Sequence, residues 1–96
     1  MTDNLLNRLW PNDKKAILKL IKHGYEIEEN DNDYLFDLHT AFCRVCLTRN
    51  RQFFFETLDE SFYVAFPSEA SPEAIAAFAV EQDKIHALYR SELEND

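Results

Sequence analysis

The chain has a single glycine, three prolines and two cysteines, and it contains no apolar run long enough to span a bilayer. Each shortage removes a class of function. Phosphate loops and dinucleotide-binding turns need several glycines at fixed spacing so that the backbone can close on a phosphate, and Gly24 alone cannot supply them. Few glycines and prolines also leave little material for a flexible linker, so residues 1–96 are expected to form one domain. Cys43 and Cys46 lie too close together to staple a small secreted fold, and Asn7, Arg8, Trp10 and Pro11 interrupt any secretory apolar core at the N-terminus. A soluble cytoplasmic protein with reduced thiols is the expectation.

Basic residues are also scarce. Ten Lys and Arg stand against 18 Asp and Glu, for a formal net charge of -8. Gripping a phosphate backbone usually takes a basic footprint, so nucleic acid is disfavoured as the main partner. A basic protein surface is favoured by the same logic with the sign reversed. The charge is also unevenly spread: residues 1–24 carry five basic and two acidic side chains, net +3, and residues 25–96 carry five and sixteen, net -11.

What the chain has in quantity is aromatic and β-branched character. Residues 53–66, FFFETLDESFYVAF, alternate on both sides of a polar turn at Asp59-Glu60-Ser61 and predict an antiparallel hairpin ending at Pro67. Phe53 and Phe55 should share one face, with Phe54 opposite. Upstream, Leu5, Leu6, Leu9 and Trp10 suggest a short amphipathic turn. Ile17, Leu20 and Ile21 then form the stripe of a helix from about Asn12 to His23, with Gly24 placed as its left-handed cap. Tyr25-Glu26-Ile27-Glu28 alternates as an edge strand does, the acidic run 29–33 has turn composition, and Tyr34–His39 returns as a second strand. Residues 40–49 fit two patterns: strand alternation, or a helical stripe through Leu35, Leu38, Phe42 and Val45. Their Phe, Val, Cys and Thr content favours the strand. Ser71, Pro72 and Glu73 mark the start of a long C-terminal helix, expected to reach about Glu92 and to bury Ile75, Phe78, Ala79, Ile85 and Leu88.

Candidate chemistry is sparse. His39, Cys43 and Cys46 would suit zinc if carried on a helix, but a strand sends the two cysteines to opposite faces, and a lone CxxC is weak. We assign no metal and no cofactor, and keep a zinc-stabilised regulatory domain as the alternative reading. His23, His39 and His86 are not coupled by sequence to any nucleophile, while Ser61, Ser68 and Ser71 have turn or capping roles. Asn30–Asp33 lacks the glycine and the terminal Glu of a calcium loop. Arg44, Arg49 and Arg51 beside Phe53, Phe54 and Phe55 would suit a single strand of nucleic acid, though Glu56, Asp59 and Glu60 weaken the field.

The sequence therefore predicts an α+β domain: an N-terminal helix, four or five mainly antiparallel strands, and a long C-terminal helix packed on the sheet. Its expected function is noncatalytic binding of a basic protein, as an inhibitor, immunity factor or adaptor, with a nuclease as one suitable target. Glu26, Glu28, Glu29, Asp31, Asp33, Glu56, Asp59 and Glu60 are the expected recruiting residues, and an apolar second sheet face would favour a homodimer.

Overall fold

The computed structural model describes residues 9–28 and 34–95, with side chains as far as residue 92. The expected turn around Leu5 and Leu6, and the acidic run 29–33, lie outside the described residues. The first helix, α1 (Pro11–Lys22), begins at the proline itself: Pro11 occupies the first helical position, where its missing N–H costs nothing. Asp13 in the first turn and Lys19 and Lys22 in the last oppose the helix dipole favourably. Gly24 ends the helix at φ 104°. There its N–H donates to the Ile21 carbonyl and the Tyr25 N–H to the Leu20 carbonyl, both at 3.0 Å, which is the pairing of a Schellman cap.

Five antiparallel strands follow: β1 (Glu26–Ile27), β2 (Phe36–His39), β3 (Cys43–Leu47), β4 (Phe53–Thr57) and β5 (Tyr63–Ala65). They lie side by side in chain order. Strand alternation wins over the competing helical stripe at residues 40–49. Phe36, Leu38, Cys43, Val45, Leu47, Phe53 and Phe55 are buried in one core cluster with Ala16, Ile17 and Leu20 of α1. Asp37, His39, Arg44, Cys46, Phe54, Glu56 and Tyr63 occupy the intervening positions and so belong to the other face.

The last helix, α2 (Pro72–Asn95), is capped by Ser71, whose Oγ accepts the Ala74 N–H at 3.0 Å. Ile75, Ala76 and Ala79 are buried. Phe78 meets the edges of Phe55 and Phe66, at ring distances of 5.3 and 5.4 Å. Tyr25 clamps the layers together, its hydroxyl donating to the Ala79 carbonyl at 3.0 Å. Lys15 meets Glu73 at 2.9 Å, which neutralises one base of the N-terminal segment within the chain, while Asp13 of that segment is taken up by Arg51 at 3.0 Å.

One expectation fails. Ile85 and Leu88 are 46% and 66% exposed, not buried. The reason is length: 24 helical residues extend about 36 Å, whereas a five-residue strand covers about 17 Å. The second half of α2 therefore outruns the sheet. Among the described residues, no helix is long and apolar enough to cross a membrane.

Scarce glycine also shapes the turns. Arg51 and Glu60 take left-handed backbone positions, at φ 67° and 62°, that glycine would hold without strain. Side chains compensate: Thr48 Oγ1 accepts the Gln52 N–H, and Thr57 Oγ1 accepts the N–H groups of Ser61 and Phe62, all at 3.1 Å. Glu60→Gly should relieve the strain in the second turn and stabilise the fold by about 0.5 kcal/mol, the relief of roughly 1–2 kcal/mol being offset in part by the freer unfolded chain. A raised denaturant midpoint with an unchanged slope is the expected measurement.

Candidate functional site

Among the described residues, both helices cover one face of the sheet and leave the other to its own side chains. One row crosses that outer face strand by strand: Glu26 pairs with His39, His39 with Arg44, Arg44 with Glu56, and Glu56 with Tyr63. The adjacent row runs Asp37, Cys46, Phe54, Ala65. The two rows meet at Asp37, which is only 3% exposed although no described helix lies above it.

Arg44 accounts for that burial. Its guanidinium grips Asp37 with two parallel bonds, Nε to Oδ1 at 2.9 Å and Nη2 to Oδ2 at 2.7 Å, while Nη1 donates to Glu56 Oε1 at 3.1 Å. Its plane lies over the Tyr34 ring, 5.0 Å from the centroid. His39 Nε2 lies 3.1 Å from Asp37 Oδ1, and Cys46 Sγ lies 3.6 Å from the same oxygen. The Asp37 hydrogen bonds are the main reason the Arg44 pKa is raised above its ordinary value. Beside this network Phe54 stacks on Tyr63 across the diagonal between β4 and β5, with ring centroids 5.4 Å apart. Tyr63 remains 59% exposed.

The expected recruiting residues divide between places. Glu26 and Glu56 sit on the outer face, and Glu28 continues the β1 register, its N–H donating to the Asp37 carbonyl at 2.7 Å. Asp59 and Glu60 sit apart from these, in the turn between β4 and β5. Asp59 is engaged in building that turn: it accepts from the Ser61 hydroxyl at 2.7 Å and from the Ser61 N–H at 3.0 Å. Those bonds from Ser61, the hydroxyl first, pull its pKa down to about 2. Glu29, Asp31 and Asp33 lie outside the described residues.

The strand geometry disperses the zinc constellation. His39 and Cys46 occupy the outer face and Cys43 the core, and no group of three or more metal-donor side chains gathers among the described residues. The arginine-aromatic cluster diverges as well. Arg44 is held by Asp37 and Glu56, Arg51 stacks on Trp10 at 4.3 Å, and Phe53 and Phe55 are core residues. Burial pushes both thiols up to about 12, helped by the Asp83 carboxylate at Cys43 and by Asp37 at Cys46.

Asp37, Arg44, His39 and Tyr34 were missed as a unit by sequence reasoning. The available signal was one acid inside FDLH and one base inside CRVCL, opposite charges within successive apolar strands. Only the register makes them partners.

Asp37→Ala should destabilise by roughly 2–3 kcal/mol, below the 3–5 kcal/mol of a fully buried pair because Arg44 keeps partial access to water. Joint replacement by Asp37→Leu and Arg44→Met should recover much of that loss in denaturant titrations, because no buried charge is then left without a partner; Glu56, which loses its bond from Arg44, is 30% exposed and can turn to water. Both thiols should resist iodoacetamide in the folded protein and react once it is unfolded. Because the folded-state thiol pKa values are raised, the stability they confer is intact below their ordinary value of 9.0 and is lost as pH climbs towards about 12. Comparisons with protein-family models, curated proteins and solved structures returned no match, which leaves the outer-face geometry as the ground for a functional reading.

Proposed function

We propose that the outer face of the sheet docks a basic protein, and that the chain acts as a noncatalytic binding module of the inhibitor, immunity or adaptor type. The observation that carries this reading is the Asp37–Arg44–Glu56 network on the face opposite the helices, fixed in place beside exposed Tyr63 and the half-buried Phe54 on which it stacks. A surface already held by internal ion pairs loses little side-chain freedom when a partner arrives. Tyr63 supplies the large, stiff, amphipathic contact typical of binding hot spots.

Charge sets the partner class. The helical layer is mixed, with Lys14, Lys15, Lys19 and Lys22 on α1 and Glu73, Glu81, Asp83 and Glu92 on α2, whereas the outer face offers Glu26, Glu28 and Glu56, its Asp37 and Arg44 being paired with each other. An approaching basic surface is drawn to the sheet side, and the acidic residues raise its association rate more than its final affinity. Arg44 is held by Asp37 and Glu56 at that moment, so it opposes the approach less than a free arginine would. A basic nuclease fits this chemistry, because an acidic module competes with the substrate such an enzyme binds.

Native mass spectrometry of the untagged protein, recovered gently from its source cells, should show a heteromeric mass that includes a basic protein. With that partner purified, Glu26→Lys combined with Glu28→Lys should slow association by about tenfold and flatten its salt dependence. Tyr63→Ala should speed dissociation by about tenfold or more. Binding that ignores both the charge reversal and the salt concentration would overturn the proposal.

A further inference from the structure

The two edges of the sheet differ in how they are protected. At one edge β1 is two residues long and carries Glu26, with Glu28 just beyond it. Charge and shortness of this kind discourage a foreign strand from adding. The other edge, β5, has neither acid nor base. Residues 61–68, SFYVAFPS, are uncharged in a chain of net charge -8. The paired register from Phe54↔Ala65 to Glu56↔Tyr63 runs without a bulge.

The hydrogen-bond phase of β5 fixes which backbone groups are open. The Thr57 N–H donates to the Phe62 carbonyl at 3.0 Å and the Phe66 N–H to the Phe53 carbonyl at 2.9 Å. Antiparallel pairs exchange such bonds at every second residue, so Val64 faces β4 while Tyr63 and Ala65 turn their N–H and C=O groups away from the sheet. The side chains beside this row are exposed and apolar, with Phe62 at 40% and Tyr63 at 59%.

From this edge we infer that β5 pairs antiparallel with β5 of a second copy of the chain, about a two-fold axis at Val64, to give one continuous ten-stranded sheet. The sequence is self-complementary in that register. Tyr63 lies opposite Ala65 of the other copy, and each such pair exchanges two N–H to C=O bonds, so the axis generates four bonds. Val64 meets its own counterpart on the helix side, and Phe62 faces Phe66 of the other copy, covering a ring that is exposed in the single chain. On the outer face, large Tyr63 stands against small Ala65. Like-charge repulsion between two acidic chains is weakest at this edge, because the contacting segment has no charge to repel. That is why a second copy is the expected occupant.

The inference does not rest on the basic-partner reading: that reading uses side chains of the outer face, Tyr63 among them, whereas this one uses the outward backbone groups of the β5 edge, and Glu26 lies at the far edge. The test is sedimentation equilibrium over rising concentration, together with amide hydrogen exchange. The mass should climb from the 11.3 kDa of one chain towards twice that value. The Tyr63 and Ala65 amides should gain protection in step, while the Val64 amide stays protected throughout. Ala65→Pro removes an outward donor without touching a bond to β4, and Ala65→Lys keeps the backbone but adds a charge at the seam. Both should remain at the monomer mass, with thermal midpoints in dilute solution equal to that of the parent. A chain that stays monomeric at every concentration overturns the inference. So does association that survives both substitutions, or a different polypeptide found on the β5 edge in place of the second copy.

Discussion

A partly buried ion pair on the uncovered side of the sheet holds the arrangement in register. Asp37 and Arg44 are not direct cross-strand partners; Asp37 faces Cys46, Arg44 faces His39, and the pair bridges the diagonal between them. A slip of β2 by one residue would turn Asp37 into the core beside Val45 and Phe55 and leave Arg44 without its carboxylate. Removing a carboxylate from its guanidinium into an apolar interior costs several kcal/mol, a large share of the stability of a small domain. Apolar residues in the same places would pack equally well but would not discriminate so sharply between registers. The same pair also positions Glu56 and orients Arg44 over Tyr34, so the chemistry of the outer face follows from the device that aligns the strands.

Much of this fold was legible one element at a time. Ser71-Pro72-Glu73 announced the start of α2, and Gly24 announced the end of α1, because capping is local and its residue types are few. The separation of Phe53 and Phe55 from Phe54 followed from the two-residue period of a strand. The ambiguity over residues 40–49 was real at the level of sequence: a helix stripe and a strand alternation both fitted. It is resolved by cross-strand partners on both sides of β3, which no short window contains. The burial assigned to Ile85 and Leu88 failed for a related reason. Periodicity identifies the apolar side of a helix but not the extent of the surface it lies against.

The outer face was less legible, since its network depends on residues far apart in sequence. Acid abundance drew attention to Asp59 and Glu60, yet Asp59 folds back on Ser61 to shape a turn that lacks glycine. Glu56 was recognised as acidic but not as one arm of a network through Arg44 to Asp37. Opposite charges embedded in neighbouring strands were the informative feature. Their meaning lay in a register that the side chains themselves help to fix.

The overhang of α2 gives one helix two different thermodynamic characters. From Ile75 to Asp83 it is held by the core, by the Tyr25 hydroxyl on the Ala79 carbonyl, and by the bond from the Thr40 hydroxyl to Asp83 at 2.5 Å. Beyond that it depends increasingly on backbone hydrogen bonds that a short isolated helix in water barely sustains. The outer turns can unwind and re-form while the sheet stays shut, at a fraction of the free energy that opens the whole domain. Cooperative melting of the core and progressive melting of the overhang are therefore separate events on one continuous helix. A single unfolding curve followed by total helical signal would blend the two.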